Sequence, residues 1–462
     1  MYTQRIRLLR PQVSLLMESS LAETKIAEKG FERLMQAVSP NAFYNSDDRP
    51  DPPKCHENTR VAVINRIIDW ATSKIDKDAF MLWLYGPAGA GKTAIARKVT
   101  ELFAEDGLLL ASFLFFRSDS KRNSITPLVA NIAYRVTCVI PGAREPIDNV
   151  LETDPLILSY SVETQLKKLF LEPLRLLVDT GHFLQKQFPP LIVIDDLDEC
   201  LDKDAQINLI RLLSSSMARY QLPLKFLIVS RPEPHLKTAI ALASKRSTIS
   251  RLELNDDFAP DEDIRRFLAD KFVEIKTSHQ LRSHIPPFWP SEEQIEMLVR
   301  KASGQFLYAS LAIRFINSVY DSPIRQLDIV LELRPPINHD LPFAELDTLY
   351  AFILSCTKNI DIVLRILDVN DVFATYYLDT PVVAIESVLS LEGGDVRIYL
   401  NTLSSLLELQ GEGRYCNIAF HHSSFMDFLH AQERSKGYFV DDRTGHTLVT
   451  RWILRTFTRN GM

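Results

Sequence analysis

The sequence predicts an α/β fold in its first part, a parallel sheet with flanking helices, followed by a mostly helical region. From residue 55 to about residue 278, short apolar runs alternate with helical patterns. A proline-rich joint at residues 283–291 ends that alternation, helical periodicity dominates beyond it, and a second break falls at residues 334–342. Alternation of this kind is typical of parallel strands connected by crossover helices.

Five short apolar runs are the predicted strands. A run of this length, ended by a glycine, proline or charged residue, indicates a buried strand rather than a helix. The runs lie at residues 79–85, 109–116, 190–195, 225–230 and 247–254. Ligands of open α/β sheets bind beyond the carboxyl ends of the strands, so the residues that follow these runs are the first candidates for a site.

Composition places the chain among ordinary globular proteins. It has 462 residues, of which 46% are hydrophobic and 24% charged, enough for about two to four domains. The net charge of -6 argues against a nucleic-acid partner or an anionic membrane surface. Five cysteines without C-x-x-C spacing indicate neither a zinc site nor a disulfide framework.

Targeting signals also point away from membranes. No apolar stretch reaches the roughly 18 residues of a membrane span. Proline and glutamate interrupt the arginine-containing N-terminus, which fits neither a secretory signal nor a transit peptide. We therefore expect a cytoplasmic protein.

A glycine-rich loop follows the first predicted strand. Gly86, Gly91, Lys92 and Thr93 fit the pattern G-x-x-x-x-G-K-[ST], in which backbone N–H groups and a helix N-terminus bind phosphate. Lys92 is expected to reach the β- and γ-phosphates, and the Thr93 hydroxyl to help hold Mg²⁺. The alternative is an ordinary glycine-rich turn that opens a helix. The predicted nucleotide-binding residues are Gly86, Pro87, Ala88, Gly89, Ala90, Gly91, Lys92, Thr93 and Ala94.

An acidic cluster follows the third predicted strand. In LIVIDDLDEC, residues 191–200, the apolar run leads into Asp195 and three further acids. Buried carboxylates at such short spacing repel one another, and a metal ion would relieve that repulsion. Asp195 is the predicted Mg²⁺ ligand, and Asp198 or Glu199 the residue that polarises an attacking water. The alternative is an acidic helix N-terminus that suits the helix dipole.

The fourth predicted strand ends at Ser230 and Arg231, within FLIVSRPEP at residues 226–234. A cation at this strand end is placed to read the γ-phosphate, which makes Arg231 a third catalytic candidate. A solvated arginine before a proline turn is the alternative.

Together these motifs resemble the NACHT family of STAND NTPases, above all the fungal members that have a nephrocystin-3-like nucleotide-binding domain. The resemblance covers roughly residues 55–430, and the motifs keep the order and spacing of the family. They are CHENTR at 55–60, GPAGAGKT at 86–93, LIVIDDLDEC at 191–200, IVSRPEPHL at 228–236, ASGQFLYASLAIRFI at 302–316 and FHHSSFMDFL at 420–429.

The resemblance implies that ATP or GTP binds with Mg²⁺ between three domains. The implied units are an N-terminal helical segment and linker (1–54), a P-loop NTPase domain (55–280), a small helical domain (281–340), a winged-helix-like domain (341–435) and a C-terminal tail (436–462).

Three residues carry this comparison further. His422 matches a winged-helix histidine that contacts the diphosphate in the closed state of family members. Phe306 stands where related switches have the proline of a Gly-x-Pro turn that begins at Gly304. Asp196 is a departure, because the family usually has a small residue there, and its charge is expected to change metal affinity or hydrolysis rate.

Three functions remain open at this stage. The first is a nucleotide-operated signalling switch with slow triphosphate hydrolysis, for which the resemblance implies fungal immunity or cell death and self-association on activation. The second is a P-loop NTPase or kinase whose turnover is the output. The third is a scaffold without nucleotide, against which the intact Lys92, Thr93 and Asp195 argue. The sequence does not choose between ATP and GTP.

Ligand sensing is a further open point. Family members commonly continue into ligand-sensing repeats, and the sequence shows no internal repeat. We expect a short form, a fragment, or a chain whose protein partner senses the ligand.

Overall fold

The computed structural model describes most of the chain. The described residues are 30–46, 54–117, 119–140, 142–181, 190–245, 248–255, 258–319, 321–333, 343–376, 381–411 and 413–459. The expectations for residues 1–29, for the end of the linker at 47–53 and for the break at 334–342 lie outside these residues.

The first half contains one parallel sheet of five strands, as predicted. The strands are β1 (Met81–Tyr85), β2 (Leu109–Leu114), β3 (Leu191–Asp195), β4 (Lys225–Ser230) and β5 (Ile249–Glu253). Their order across the sheet is β2-β3-β4-β1-β5, and every pair is parallel. The strand before the glycine-rich loop therefore lies inside the sheet, with β4 between it and the acidic strand β3.

Alternate residues of β1, β3 and β4 enter two separate cores. In β1, Met81 and Trp83 pack on one face of the sheet, and Leu82 and Leu84 pack on the other. This alternation is the geometry of a strand covered on both faces, and it explains why these three strands appear in the sequence as continuous apolar runs.

Helices cover both faces of the sheet. On the face of Leu82 lie α1 and α2, and most of the other helices of this half lie on the face of Met81. A π-helical turn, Lys167–Leu171, joins α5 to α6. The helices are α1 (Val61–Ala71), α2 (Lys92–Glu105), α3 (Thr126–Val139), α4 (Arg144–Thr153), α5 (Val162–Leu166), α6 (Glu172–Asp179), α7 (Lys203–Tyr220) and α8 (Pro234–Ala243).

The second half is mostly helical and has its own core. Its helices are α9 (Pro260–Ser278), α10 (Glu292–Ala302), α11 (Phe306–Ile316), α12 (Pro323–Glu332), α13 (Ala344–Ser355), α14 (Ile360–Tyr376), α15 (Val382–Leu389), α16 (Asp395–Leu400), α17 (Ser424–Leu429), α18 (Gln432–Ser435) and α19 (Asp442–Arg459). Helix α9 shares this core through Ile264, Leu268 and Phe272, so its packing crosses the expected position of a domain boundary near residue 280. The domain boundaries stay predictions.

A small hairpin interrupts the helices. Strands β6 (Leu407–Gln410) and β7 (Asn417–Phe420) pair antiparallel, and α17 begins four residues after β7. The helical periodicity alone does not predict this hairpin, whereas the resemblance to a winged-helix domain does allow for one. No helix in the described part of the chain has the length and apolar composition needed to cross a bilayer.

The stretch at residues 39–46 is packed, although its composition suggests a linker. Ser39 and Ala42 are buried. The Ser39 N–H donates to the Asn131 side chain at 2.8 Å, Asn131 returns a hydrogen bond to the Ser39 carbonyl at 2.8 Å, and the Tyr44 N–H donates to Ser112 Oγ at 3.1 Å. This segment is therefore attached to α3 and β2.

Candidate functional site

The glycine-rich loop, residues 86–91, connects β1 to α2. Gly89 and Gly91 have φ angles of +78° and +87°, a conformation that residues with a Cβ atom rarely adopt. A Cβ atom added at Gly91 would meet no heavy atom within 4 Å. At Gly91 the loop therefore faces open space beside the N-terminus of α2, where backbone N–H groups and the helix dipole favour an anion.

Lys92 lies at the start of α2 with its side chain folded over the loop. Its Nζ donates to the carbonyls of Gly86 and Pro87, both at 3.0 Å, and the residue is only 6% exposed. Burial lowers the pKa of Lys92, and the charge of Asp196 offsets part of that effect. A buried ammonium group beside an open anion cradle suits a phosphate ligand.

Thr93 contacts the acidic cluster through Asp196. Its hydroxyl donates to Asp196 Oδ2 at 2.8 Å, and the Asp196 N–H donates to the Asp195 carboxylate at 2.9 Å. Asp196 has a φ angle of +51°, which turns the chain sharply after β3. Asp196, the residue at which the sequence departs from the family, thus makes the hydroxyl contact, and the role of Asp195 as metal ligand stays a prediction.

Several acids, among them Asp195, Asp198 and Glu199, are buried close together at and after the end of β3. Burial raises the pKa of Asp195, Asp196 and Glu199, and the charges of neighbouring acids raise each of them further. Among the described residues, no group of three or more His, Cys, Asp or Glu side chains could hold a metal ion. Mg²⁺ needs fewer, because one or two carboxylates and phosphate oxygens usually hold it. The Thr93 hydroxyl and the adjacent carboxylates fit that ligand set.

Asp198 and Arg231 form a pair across β3 and β4. Asp198 Oδ1 accepts the Arg231 N–H at 2.8 Å, and Asp198 Oδ2 lies 3.2 Å from Arg231 Nε. Burial alone would lower the pKa of Arg231, but the charges of Asp427 and Asp198 raise it above its ordinary value. The structure therefore brings together two of the three predicted catalytic residues.

The third, Glu199, lies beside Arg117, a residue not among the predicted ones. Its carboxylate accepts the Arg117 N–H at 3.1 Å, and the Arg117 guanidinium reaches the Asp198 carbonyl at 3.4 Å. Arg117 follows the apolar run at 109–116 just as Arg231 follows β4, so the same signal, a cation at a strand end, could have found it.

The helical half reaches the same cluster through residues 422–427, which follow the hairpin. Asp427 contacts Arg231 at 2.6 Å, and Ser423 Oγ lies 3.5 Å from the same guanidinium. His422 Nδ1 accepts the Ser424 N–H at 3.0 Å, so in the neutral ring the proton is on Nε2. His422 thus directly precedes Ser423, which contacts the cluster, and the role of His422 toward a diphosphate stays a prediction.

A second contact with the helical half lies at the loop itself. The Leu307 N–H donates to the Gly89 carbonyl at 3.2 Å, and a Cβ at Gly89 would approach Leu307 Cβ to 2.7 Å. The Phe306 ring covers the guanidinium of buried Arg60 at 4.9 Å, and Arg60 Nη2 donates to the Ala90 carbonyl at 3.0 Å. Phe306, which replaces a proline in the family comparison, therefore begins α11 beside the loop.

These features define the fold of the first half. A glycine-rich loop leads from an inner strand of a parallel sheet into a helix, and a carboxylate after another strand accepts a hydrogen bond from the threonine that follows the loop. The α/β half has the P-loop NTPase fold. A family model described as nephrocystin 3, N-terminal, matches residues 64–231, a segment that contains the P-loop, the acidic cluster and Arg231. No curated protein matches the chain significantly.

Solved structures resemble the chain only distantly. The Cdc6p structure from Pyrobaculum aerophilum is 15% identical with a TM-score of 0.37, covering 88% of this chain and 98% of its own. The Orc1 protein of Aeropyrum pernix, solved in complex with DNA, is 13% identical with a TM-score of 0.36, covering 84% and 94%. PCH-2 of C. elegans is 12% identical with a TM-score of 0.34, covering 59% and 69%. The P-loop NTPase fold is therefore assigned from the strand order and the loop geometry.

Proposed function

We propose that this chain is a nucleotide-operated signalling switch of the NACHT type. The diphosphate holds the two halves together, the triphosphate separates them, and slow hydrolysis restores the first state. The proposal includes a fungal immune or cell-death role, a cytoplasmic location and self-association of the open form. The proposal does not choose between ATP and GTP, because a P-loop binds phosphates through backbone amides and does not contact the base.

One observation carries this proposal: residues from both halves meet at the strand ends around the P-loop. Asp198 and Arg231 come from the α/β half, whereas Ser423 and Asp427 come from the helical half, and Arg231 contacts the other three residues. A ligand whose charge changes at such a junction has different interaction energies with the joined and separated arrangements. That difference is what a switch requires.

Each site residue has a proposed task. The N–H groups of the loop and Lys92 bind the phosphates, and Arg231 reads the terminal phosphate. Asp198 orients Arg231 through two contacts, while Glu199 is the candidate for polarising water. Thr93 and the carboxylates of Asp195 and Asp196 would hold Mg²⁺, which supplies positive charge that offsets the negative charge of the phosphates.

Nucleotide binding by the full chain tests the proposal. We expect ADP and ATP, or GDP and GTP, to bind the purified protein, and Lys92→Ala to weaken both by at least about tenfold, because it removes a charge-assisted hydrogen bond to phosphate. Lys98→Ala is the control, because Lys98 is exposed on the same helix and should leave affinity unchanged. Titration with a fluorescent nucleotide measures all of these affinities.

Turnover separates the switch from the alternative of an enzyme whose product is the output. A turnover NTPase or kinase works at about 1 to 1,000 reactions per second, and a switch must be far slower to stay in one state. Steady-state hydrolysis and the solution mass with each nucleotide are the two measurements. Fast hydrolysis by a chain that stays monomeric would contradict the switch, whereas binding of no nucleotide would contradict both.

A further inference from the structure

Arg231 is held by carboxylates from both halves of the molecule. Asp198 contacts it from the α/β half at 3.2 Å, and Asp427 of α17 contacts it at 2.6 Å. The side chains of Arg231 and Asp427 are 21% and 18% exposed, respectively. The pair is therefore largely shielded from water. The attraction between two charges is stronger in such an environment than in solvent.

Asp427 lies between two arginines. Its second oxygen, Oδ1, is 3.4 Å from Arg117 Nη1, so one carboxylate faces cations that follow β2 and β4. This carboxylate comes from the helical half, and its two partners come from the α/β half. Asp427 is thus a negative charge inserted at the strand ends from outside the sheet.

The P-loop and Arg231 leave the sheet side by side. Strands β1 and β4 are parallel neighbours, and Tyr85, the last residue of β1, pairs with Ser230, the last residue of β4. Gly86 and Arg231 therefore follow paired positions at the ends of adjacent strands. The charge of Arg231 also contributes to the lowered pKa of Lys92, although burial is the larger cause. A phosphate bound near Lys92 lies within the electrostatic range of both cations.

We propose that Asp427 is a specificity-determining residue that favours a nucleoside diphosphate over a triphosphate by holding Arg231. This inference rests on the proposed nucleotide-binding function. A third phosphate brings additional negative charge toward the guanidinium that Asp427 occupies, so it must displace the carboxylate or bind beside a like charge. A diphosphate, which is shorter and carries less charge, meets less of this competition. Asp427 acts through Arg231 and is a positioning residue.

The test compares nucleotide affinities in the full-length chain. Asp427→Asn should lower the ratio of triphosphate to diphosphate dissociation constants by about tenfold, the change expected when one charge-assisted interaction stops competing. A non-hydrolysable triphosphate analogue and the diphosphate are the two probes, measured by calorimetry. In an Arg231→Gln background, Asp427→Asn should leave the ratio unchanged, because the competition passes through Arg231.

Asp347→Asn is the matched control. Asp347 binds Arg434 at 2.7 Å and 3.0 Å, its side chain is 14% exposed, and both partners belong to the helical half. Loss of this ion pair should leave the ratio unchanged. A shift equal to that of Asp427→Asn would mean that any broken ion pair loosens the helical half, and it would overturn the inference.

Hydrogen exchange of the wild-type chain supplies a measurement that needs no variant. Amides of residues 423–429 should exchange faster with the triphosphate analogue than with the diphosphate, because the third phosphate releases Asp427. Equal exchange in the two states would overturn the inference, as would an unchanged affinity ratio in a folded Asp427→Asn chain. If the wild type binds neither nucleotide, both the proposed function and this inference fail. If it binds both and Asp427→Asn leaves the affinity ratio unchanged, only the role of Asp427 is refuted.

Discussion

Two of the contacts between the helical half and the α/β half differ in their chemistry. The loop contact joins Leu307 and Phe306 to Gly89 and Arg60, with one backbone hydrogen bond of 3.2 Å and close apolar packing. The charged contact joins Asp427 to Arg231 and Arg117 at 2.6 Å and 3.4 Å.

The difference between the apolar and the charged contact indicates which of them a nucleotide can change. An anion competes directly with a carboxylate for an arginine, whereas it has no comparable effect on a leucine that packs against a backbone. The loop contact is therefore suited to act as a pivot, and the charged contact as the part that opens. If so, changes at the loop contact should cost stability, and changes at the charged contact should alter ligand preference.

Gly89→Ala should have the largest effect on stability. The substitution places a Cβ 2.7 Å from Leu307 Cβ at a φ angle of +78°. Overpacking of this kind costs about 1–3 kcal/mol, and a positive φ adds about 1–2 kcal/mol for a residue with a Cβ. We expect the free energy of unfolding in urea to fall by about 3 kcal/mol.

Gly91→Ala is the control for this loss, because it shares the positive φ of +87° but meets no atom within 4 Å. It should lose only the conformational part of the stability, about 1–2 kcal/mol. Its Cβ instead enters the space expected for phosphate, so nucleotide affinity should fall. Equal losses of stability in the two variants would show that Leu307 does not press on Gly89, which would remove the pivot from the comparison.

Phe306→Ala should have the next largest effect. The ring lies 4.9 Å from the Arg60 guanidinium, and loss of a half-buried aromatic ring costs about 2 kcal/mol. Phe306→Leu, which keeps apolar volume but loses the ring face, should cost less than about 1 kcal/mol. Urea unfolding measures both variants. If the alanine variant is as stable as the wild type, Phe306 only covers Arg60 and does not hold the halves together.

The sequence predicts the elements of the sheet well but not their partners. Apolar runs ended by Gly86, Asp195 or Arg231 indicate buried strands, since both faces of a parallel sheet are covered. All five predicted strands are present, and parallel pairing is confirmed. Which strands become neighbours depends on contacts between distant residues, so the position of β4 between β1 and β3 had no local signal.

The candidate site shows the same division. Lys92, Thr93, Asp198 and Arg231 converge at one edge, because each follows or lies near the end of a strand. Asp427 comes from a short helix 196 residues beyond Arg231, and no periodicity links the two. The contact between Asp196 and Thr93 depends on the left-handed backbone conformation of Asp196, which the residue types of the acidic cluster do not predict.

A pH series provides the smallest expected effect and separates the environments of the two contacts. Burial, together with the charges of Glu199 and Asp198, raises the pKa of Asp196 to about 7. Its ordinary value is about 3.9, so between pH 4 and 7 this carboxyl binds more protons in the folded chain without ligand than in the unfolded chain. The contribution of Asp196 to stability therefore falls as the pH rises through this window. Arg60 at the loop contact has a pKa lowered by burial, yet an arginine remains charged over this range.

We expect Asp196→Asn to reduce the decline in unfolding free energy between pH 5 and 7 without abolishing it, because Asp195 and Glu199 also have raised pKa values. Asp204→Asn is the control, since Asp204 is exposed on α7 and should leave the decline unchanged. Urea unfolding at pH 5, 6, 7 and 8 measures the slope. An Asp196→Asn chain with the wild-type slope would mean that Asp196 is already charged without a ligand. A bound cation would then not be needed to keep Asp196 charged in the folded chain.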